Sequence, residues 1–385
     1  MSHLEITKEI LGNLIAYPTI SADSNLELIA YVADSLEGLG ARVTVSKDAT
    51  GAKANLFASL GPDIDGGIVL SGHSDVVPVA VQDWSSDPFV LIERDDRLFG
   101  RGACDMKGFI AAAMALAPDY AALEMRRPVH FAFTYDEEVG CLGGKALVRE
   151  LQDRGIRPSA AIIGEPTLMR VIEGHKGCHE YTTEFAGLEG HGSLPHLGVN
   201  AIEYAVRYIS RLMDLREELK NSTPKASRFD PPYSTIQIGR ISGGVAHNVI
   251  AGDCSVDWEF RPVQQSDTDY VNRQTRKIVE QELLPAMQAI YPDASITTRT
   301  LGEVDGLEPA ADSEARAIVM ELTGSMESDV VSFGTEAGLY QEVGISAVIC
   351  GPGSIEQAHK ADEYVSLAQL QACVDMLNGL KTKLV

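Results

Sequence analysis

Residues 107–135, KGFIAAAMALAPDYAALEMRRPVHFAFTY, place an apolar segment directly before a Val/Phe-rich one. The run 109–117 is stopped by Pro118 and falls far short of the roughly 20 residues a membrane helix needs, so it predicts a buried helix over 107–120 followed by a strand over 129–135. The same pairing recurs on both sides. Apolar residues at helical spacing predict helices over 4–17, 26–39 and 143–151, and short β-rich runs predict strands over 41–46, 55–60, 67–72 and 160–163. Alternating helices and strands indicate an α/β domain. From Cys178 the order changes to strand 180–185, helix 200–220, strands 235–241 and 253–260, helix 268–287 and strand 295–300. That βαββαβ order is ferredoxin-like. A helix over 313–322, a strand over 347–350 and a helix over 367–381 then return to the first style. The expected organisation is one α/β domain in two parts, 1–177 and 301–385, carrying an inserted domain at 178–300, with 221–233 as a surface loop.

Composition limits what such a chain does. Its 385 residues fit two domains. With 45% hydrophobic and 23% charged residues it can bury a large core, which excludes disorder of the whole chain. The 32 basic and 55 acidic side chains leave a formal charge of −23, which repels phosphate backbones and anionic lipid surfaces and argues against both as partners. The start, MSHLEITKEILGNL, mixes charges into a helical pattern and lacks the basic, apolar and small-residue order of an export signal, so a cytoplasmic protein is expected. Six cysteines without CxxC spacing predict reduced, mostly buried thiols.

Five segments carry groups capable of chemistry. In SGHSDVVP (71–78), His73 and Asp75 are two residues apart and share a face of an extended chain. Neutral imidazole is a common metal ligand, and a nearby carboxylate can fix its tautomer. GRGACDMKG (100–108) puts Asp105 just before the predicted helix; the segment lacks the pattern of a nucleotide-binding loop. YDEEVG (135–140) ends a strand in Asp136, Glu137 and Glu138, a costly row of like charges unless solvated or bound to cations. GEPT (164–167) holds Glu165 at a strand exit, and GPGSIEQAHKADEY (351–364) holds His359 after the late strand. A hydrogen-bonded histidine, a helix-capping aspartate and an acidic loop are the ordinary alternatives for each segment alone. Their joint position at strand ends, where α/β sheets bind ligands, favours a site.

In this order the five segments resemble the two-zinc amidohydrolases, which include acetylornithine deacetylases, succinyl-diaminopimelate desuccinylases, aminoacylases and carboxypeptidase G. The resemblance covers nearly the whole chain. It implies a mixed-sheet catalytic domain of the zinc-aminopeptidase type, and an inserted ferredoxin-like domain serving as dimerisation or lid element in a homodimer. It also implies that His73 and Glu165 bind one zinc, Glu138 and His359 another, and Asp105 both, with cobalt or manganese as substitutes. Glu137 would be the general base and Asp75 the support of His73. Two metals roughly 3.5 to 4 Å apart suit amide hydrolysis, since they acidify a water and polarise a carbonyl.

The inserted domain's GLEGHGSLPH (187–196) resembles the family segment whose first histidine, here His191, stabilises the tetrahedral intermediate; His196 reads as structural. GGVAHNVIAGDC (243–254) implies that Asn248 approaches substrate, with Ala251 where relatives carry proline. Arg261 matches an arginine that clamps a substrate carboxylate. The segment FGTEAGLY (333–340) looks most like acetylornithine deacetylases, which remove acetyl from N2-acetyl-L-ornithine in arginine biosynthesis; Glu336 or Glu363 would then receive the substrate's ammonium. Another N-acyl-amino-acid hydrolase or a desuccinylase is the alternative within the class, and a non-catalytic metal- or peptide-binding protein the alternative outside it.

Overall fold

The computed structural model describes residues 1–385, which divide into two compact units. The first comprises Met1–Gly174, Pro309–Val330 and Thr335–Val385; the second comprises His175–Glu308 and Val331–Gly334. The second unit is wider than the expected 178–300. Its last strand runs Ser295–Val304, and His175 and Gly177 hydrogen-bond to Leu307 and Pro262, which ties both ends of the insertion to it.

An eight-stranded mixed sheet organises the first unit, in spatial order Arg42–Lys47, Ala54–Leu60, Val129–Thr134, Ile68–His73, Ala160–Pro166, Ser346–Gly351, Ile172–His175 and Asp329–Val331. The four central strands are parallel to one another. They are buried almost throughout, which explains why they read as continuous apolar runs rather than alternating ones. Parallel central strands bring His73, the segment after Thr134, Glu165 and the segment after Gly351 to one edge of the sheet. Helix Lys107–Ala121 is apolar on nearly every face because it packs between the sheet and helices His3–Ile15 and Leu367–Leu384. Its Phe109 ring lies flat on the strand at Gly164: a Cβ there would fall 1.9 Å from the ring. Only glycine permits that approach beside Glu165.

The second unit is an antiparallel sheet in the order Thr235–Gly243, Asp253–Arg261, Cys178–Ala186, Ser295–Val304. Numbered along the chain this is 2-3-1-4, the ferredoxin-like arrangement. Tyr181, Phe185, Trp258 and Phe260 of the sheet and Tyr208 of helix Ala201–Asn221 centre its core. The expected helix 268–287 is three consecutive helical pieces, Gln265–Lys277, a π-helical stretch Ile278–Leu283 and Leu284–Gln288. All six cysteines are free and five are buried, as expected. No helix is long and apolar enough to cross a membrane.

Candidate active site

His73 ends its strand with both ring nitrogens engaged. Nε2 lies 2.9 Å from Asp105 Oδ1 and 3.8 Å from Glu165 Oε1, while Nδ1 is 2.9 Å from the Asp75 carbonyl oxygen. The other oxygen of Asp105, Oδ2, lies 3.4 Å from His359 Nε2, which is 2.9 Å from Glu138 Oε2. Asp105 therefore faces one imidazole with each oxygen. Donor atoms of His73, Asp105 and Glu165 lie within 4.8 Å of one another, as do those of Asp105, Glu138 and His359. The five residues expected to hold metal thus converge in two triads that share Asp105. His359 adopts φ 61° and Asp136 φ 54°, left-handed conformations that cost non-glycine residues energy and cluster at functional sites.

The electrostatics fit cations. Burial, followed by the neighbouring carboxylates, raises Glu165 and Glu137 well above the usual carboxylate range and raises Glu138 as well. Burial opposes a charge on His73, yet Asp105, Asp75 and Glu165 overcome it and hold the imidazole well above its ordinary value. Hydrogen bonds to Asp105 and Glu138 push His359 up to about 10. Carboxylates and imidazoles that both resist losing protons mark a pocket with more negative charge than its own cations neutralise. Divalent metal ions would replace those protons, and a His and carboxylate donor set suits zinc.

Around the triads a supporting layer was only partly foreseen. Asp75 supports His73 chiefly through its backbone carbonyl; its carboxylate stands 3.6 Å from Nδ1. That carboxylate instead accepts the N–H of Glu137 at 3.1 Å, the N–H of Glu138 at 3.4 Å and the Ser21 hydroxyl at 2.7 Å. Lys53 pairs with Asp136 at 2.5 Å. Asp105 does not cap the helix behind it: the cap position is Met106, with no side-chain bond. Glu363, expected as a possible ammonium receptor, is wholly committed elsewhere. It accepts the N–H groups of Gly102, Cys104 and Asp105 at 2.8 to 3.0 Å and pairs with buried Arg101 at 2.7 Å. Arg101 was missed, although an arginine within GRGACDMKG, in a turn too tight to be solvated, was the available signal. Glu336 is 1% exposed, beneath the segment 134–144 and not on an open wall.

Three expected residues belong to the second unit. His191 is exposed, its Nδ1 2.7 Å from the Ser193 hydroxyl. Asn248 is beside it: Gly190–His191 pairs with Val249–Ile250, and the Gly192 N–H donates to the Asn248 carbonyl at 2.8 Å. Ala251, in place of the family proline, is buried and accepts the Ala201 N–H at 2.8 Å. Arg261 is half-buried and grips Glu259, at 3.3 Å from Nε and 3.1 Å from Nη2. Cys178, Glu180 and Glu259 also have donor atoms within 4.8 Å of one another, but the Arg261 guanidinium already supplies a cation there. His196 is exposed in the short turn Pro195–Leu197.

Known proteins resemble the chain along nearly its whole length. An acetylornithine deacetylase of Klebsiella pneumoniae (strain 342) is 36% identical over 364 residues, 93% of this chain and 92% of that protein. An M20 family metallo-carboxypeptidase from Sulfolobus solfataricus shares the fold with a TM-score of 0.75 at 18% identity, over 97% of this chain and 98% of that one. A Bacillus subtilis protein described as a dinuclear metal-binding peptidase of the M20 family superposes with a TM-score of 0.67 at 18% identity, over 99% and 98% of the two chains. The profile of peptidase family M20/M25/M40 matches residues 69–382, and the chain belongs to that family.

Proposed function

We propose that the protein is a two-metal amidohydrolase that converts N2-acetyl-L-ornithine and water to L-ornithine and acetate. The coarser statement, a metal-dependent hydrolase, follows from family membership. The observation that carries the proposal is the position of Asp105, one oxygen toward His73 and the other toward His359. In this reading His73, Asp105 and Glu165 hold one zinc, and Asp105, Glu138 and His359 the other. When bound, such a pair lowers the pKa of the attacking water and draws electrons from the acyl carbonyl. Glu137 takes the water's proton as the oxygen bonds to the acyl carbon, then passes it to the amine nitrogen as the C–N bond breaks. In the metal-free protein burial raises Glu137 well above the usual carboxylate range.

The supporting residues keep that base in place. Asp75 holds the backbone of Glu137 and Glu138, and the Cys141 thiol lies 3.6 Å from Glu137 Oε1. His191 would stabilise the oxyanion from the second unit, and Asn248 would approach substrate beside it. A substrate carboxylate at Arg261 would have to compete with Glu259. Action in a cytoplasmic homodimer and a place in arginine biosynthesis are part of the same proposal, supported by the likeness to acetylornithine deacetylases. Comparing zinc-loaded protein on N2-acetyl-L-ornithine, other N-acetyl amino acids and N-succinyl-diaminopimelate tests it. Preference for the acetylated ornithine is expected; preference for the succinyl substrate would make the protein a desuccinylase.

A further inference from the structure

Helix Leu142–Asp153 begins directly after the segment that carries Glu137 and Glu138, and it has no local cap. Its cap position is Cys141, in a left-handed conformation at φ 54° and without a side-chain bond to the first turn. The opening amides of a helix need partners from elsewhere. Here the N–H groups of Cys141, Leu142 and Gly143 return to the carbonyls of Glu137, Asp136 and Tyr135. Gly144 is next, and its N–H faces the carboxylate of Glu336, a residue almost two hundred positions away along the sequence. Approach is close: a Cβ on Gly144 would fall 2.6 Å from Glu336 Oε1 and 3.0 Å from Leu339. Glu336 is itself the cap residue of the short helix Ala337–Glu342, and its buried carboxylate is faced by the Thr134 hydroxyl as well as by the Gly144 N–H.

From this juxtaposition we infer that Glu336 is a positioning residue: its carboxylate completes the cap of helix Leu142–Asp153 and thereby fixes the loop that aims Glu137. The inference rests on the reading of Glu137 as the base. The path is short. The capped turn begins at Cys141, and the Cys141 thiol meets the Glu137 carboxylate. Asp75 holds the loop at its start, and Glu336 holds it at its end. A carboxylate is favoured at a helix N-terminus by the aligned peptide dipoles, which offsets part of the cost of burying it. This role differs from ammonium recognition, in which Glu336 would contact substrate and leave the loop alone.

The test uses zinc-loaded full-length protein with Glu336→Ala, Glu336→Gln and Gly144→Ala, measuring kcat and KM on N2-acetyl-L-ornithine and amide hydrogen exchange over residues 136–145. Glu336→Ala and Gly144→Ala are expected to lower kcat by about 10- to 100-fold at nearly constant KM, the range typical of residues that orient a site's working groups. The backbone amide at position 144 should exchange at least about tenfold faster in both, as expected when a protecting contact is lost. Glu336→Gln should restore most of both, because its amide oxygen still accepts the Gly144 N–H. A raised KM with unchanged kcat in Glu336→Ala would make the residue a substrate contact and overturn the inference, as would unchanged exchange at Gly144. If Glu336→Ala fails to fold, Gly144→Ala and Glu336→Gln decide the matter. Wild-type protein without turnover of any N-acyl amino acid would sink the proposed reaction, while the exchange measurements would still decide the role of Glu336 in the cap.

Discussion

The carboxylate of Asp75 accepts the backbone N–H of Glu137 at 3.1 Å. Asp75 also binds His73 through its carbonyl oxygen, so one residue couples the first expected ligand to the expected base. Replacing Asp75 by Asn removes one acceptor oxygen from a buried group with three donors around it. We expect kcat to fall by about 10- to 100-fold while zinc content stays near wild type. Steady-state kinetics with metal analysis checks this, and loss of metal without loss of turnover per bound ion would assign Asp75 to the metal alone.

Glu137→Ala should lower kcat by at least about two orders of magnitude, since general-base catalysis contributes that much, with both metals still bound. Near-normal turnover in the variant would remove Glu137 as the base.

Glu363→Gln leaves the Arg101 guanidinium buried without its full counter-charge and weakens the acceptor for three backbone amides leading to Asp105. Breaking a buried pair in this way costs about 3 to 5 kcal/mol, so denaturant unfolding should show a large loss of stability, and zinc affinity should fall with it. Unchanged stability with a selective rise in KM would return Glu363 to the role of substrate contact.

Much of the first unit was legible in the sequence because its central strands and helix Lys107–Ala121 are buried on all sides and carry continuous apolar runs. The convergence of His73, Asp105, Glu138, Glu165 and His359 was legible because each stands in a polar segment bordering or following such a run. The short strands Ile92–Arg94 and Arg97–Phe99 and the helix Ala337–Glu342 were not, since segments this short have no measurable period. Nor were the partners of Arg101 and Glu336. Their partners, Glu363 and Gly144, are far away in sequence, so nothing local records the pairing. The π-helical stretch within 265–288 likewise leaves the apolar pattern intact and so read as one helix.

His130 predicts the acid limit of the fold. Its Nδ1 is 2.7 Å from the Ser59 hydroxyl, its ring stacks on Phe57, and burial pushes its pKa down to about 4. In the unfolded chain the value is about 6.5, so the unfolded state binds the proton first as pH falls. The neutral ring's contribution is present above pH 6.5 and is lost between there and 4, about 2 kcal/mol of it between pH 7 and pH 5. Urea unfolding at the two pH values should show this drop, and His130→Phe should shrink it. An equal drop in the variant would place the acid sensitivity elsewhere.

Gly164→Ala should destabilise the first unit by at least about 1 to 3 kcal/mol, the usual cost of overpacking, because the new methyl group meets the Phe109 ring. Thermal unfolding checks it; a wild-type melting temperature would mean that the strand and helix separate without cost.

Calorimetric titration of metal-free protein with zinc, followed by anomalous diffraction from the loaded crystal, bears most directly on the shared role of Asp105. Two ions per chain are expected, one among His73, Asp105 and Glu165 and one among Asp105, Glu138 and His359, with Asp105→Ala losing both. A single ion, or two ions that survive Asp105→Ala, would contradict the account.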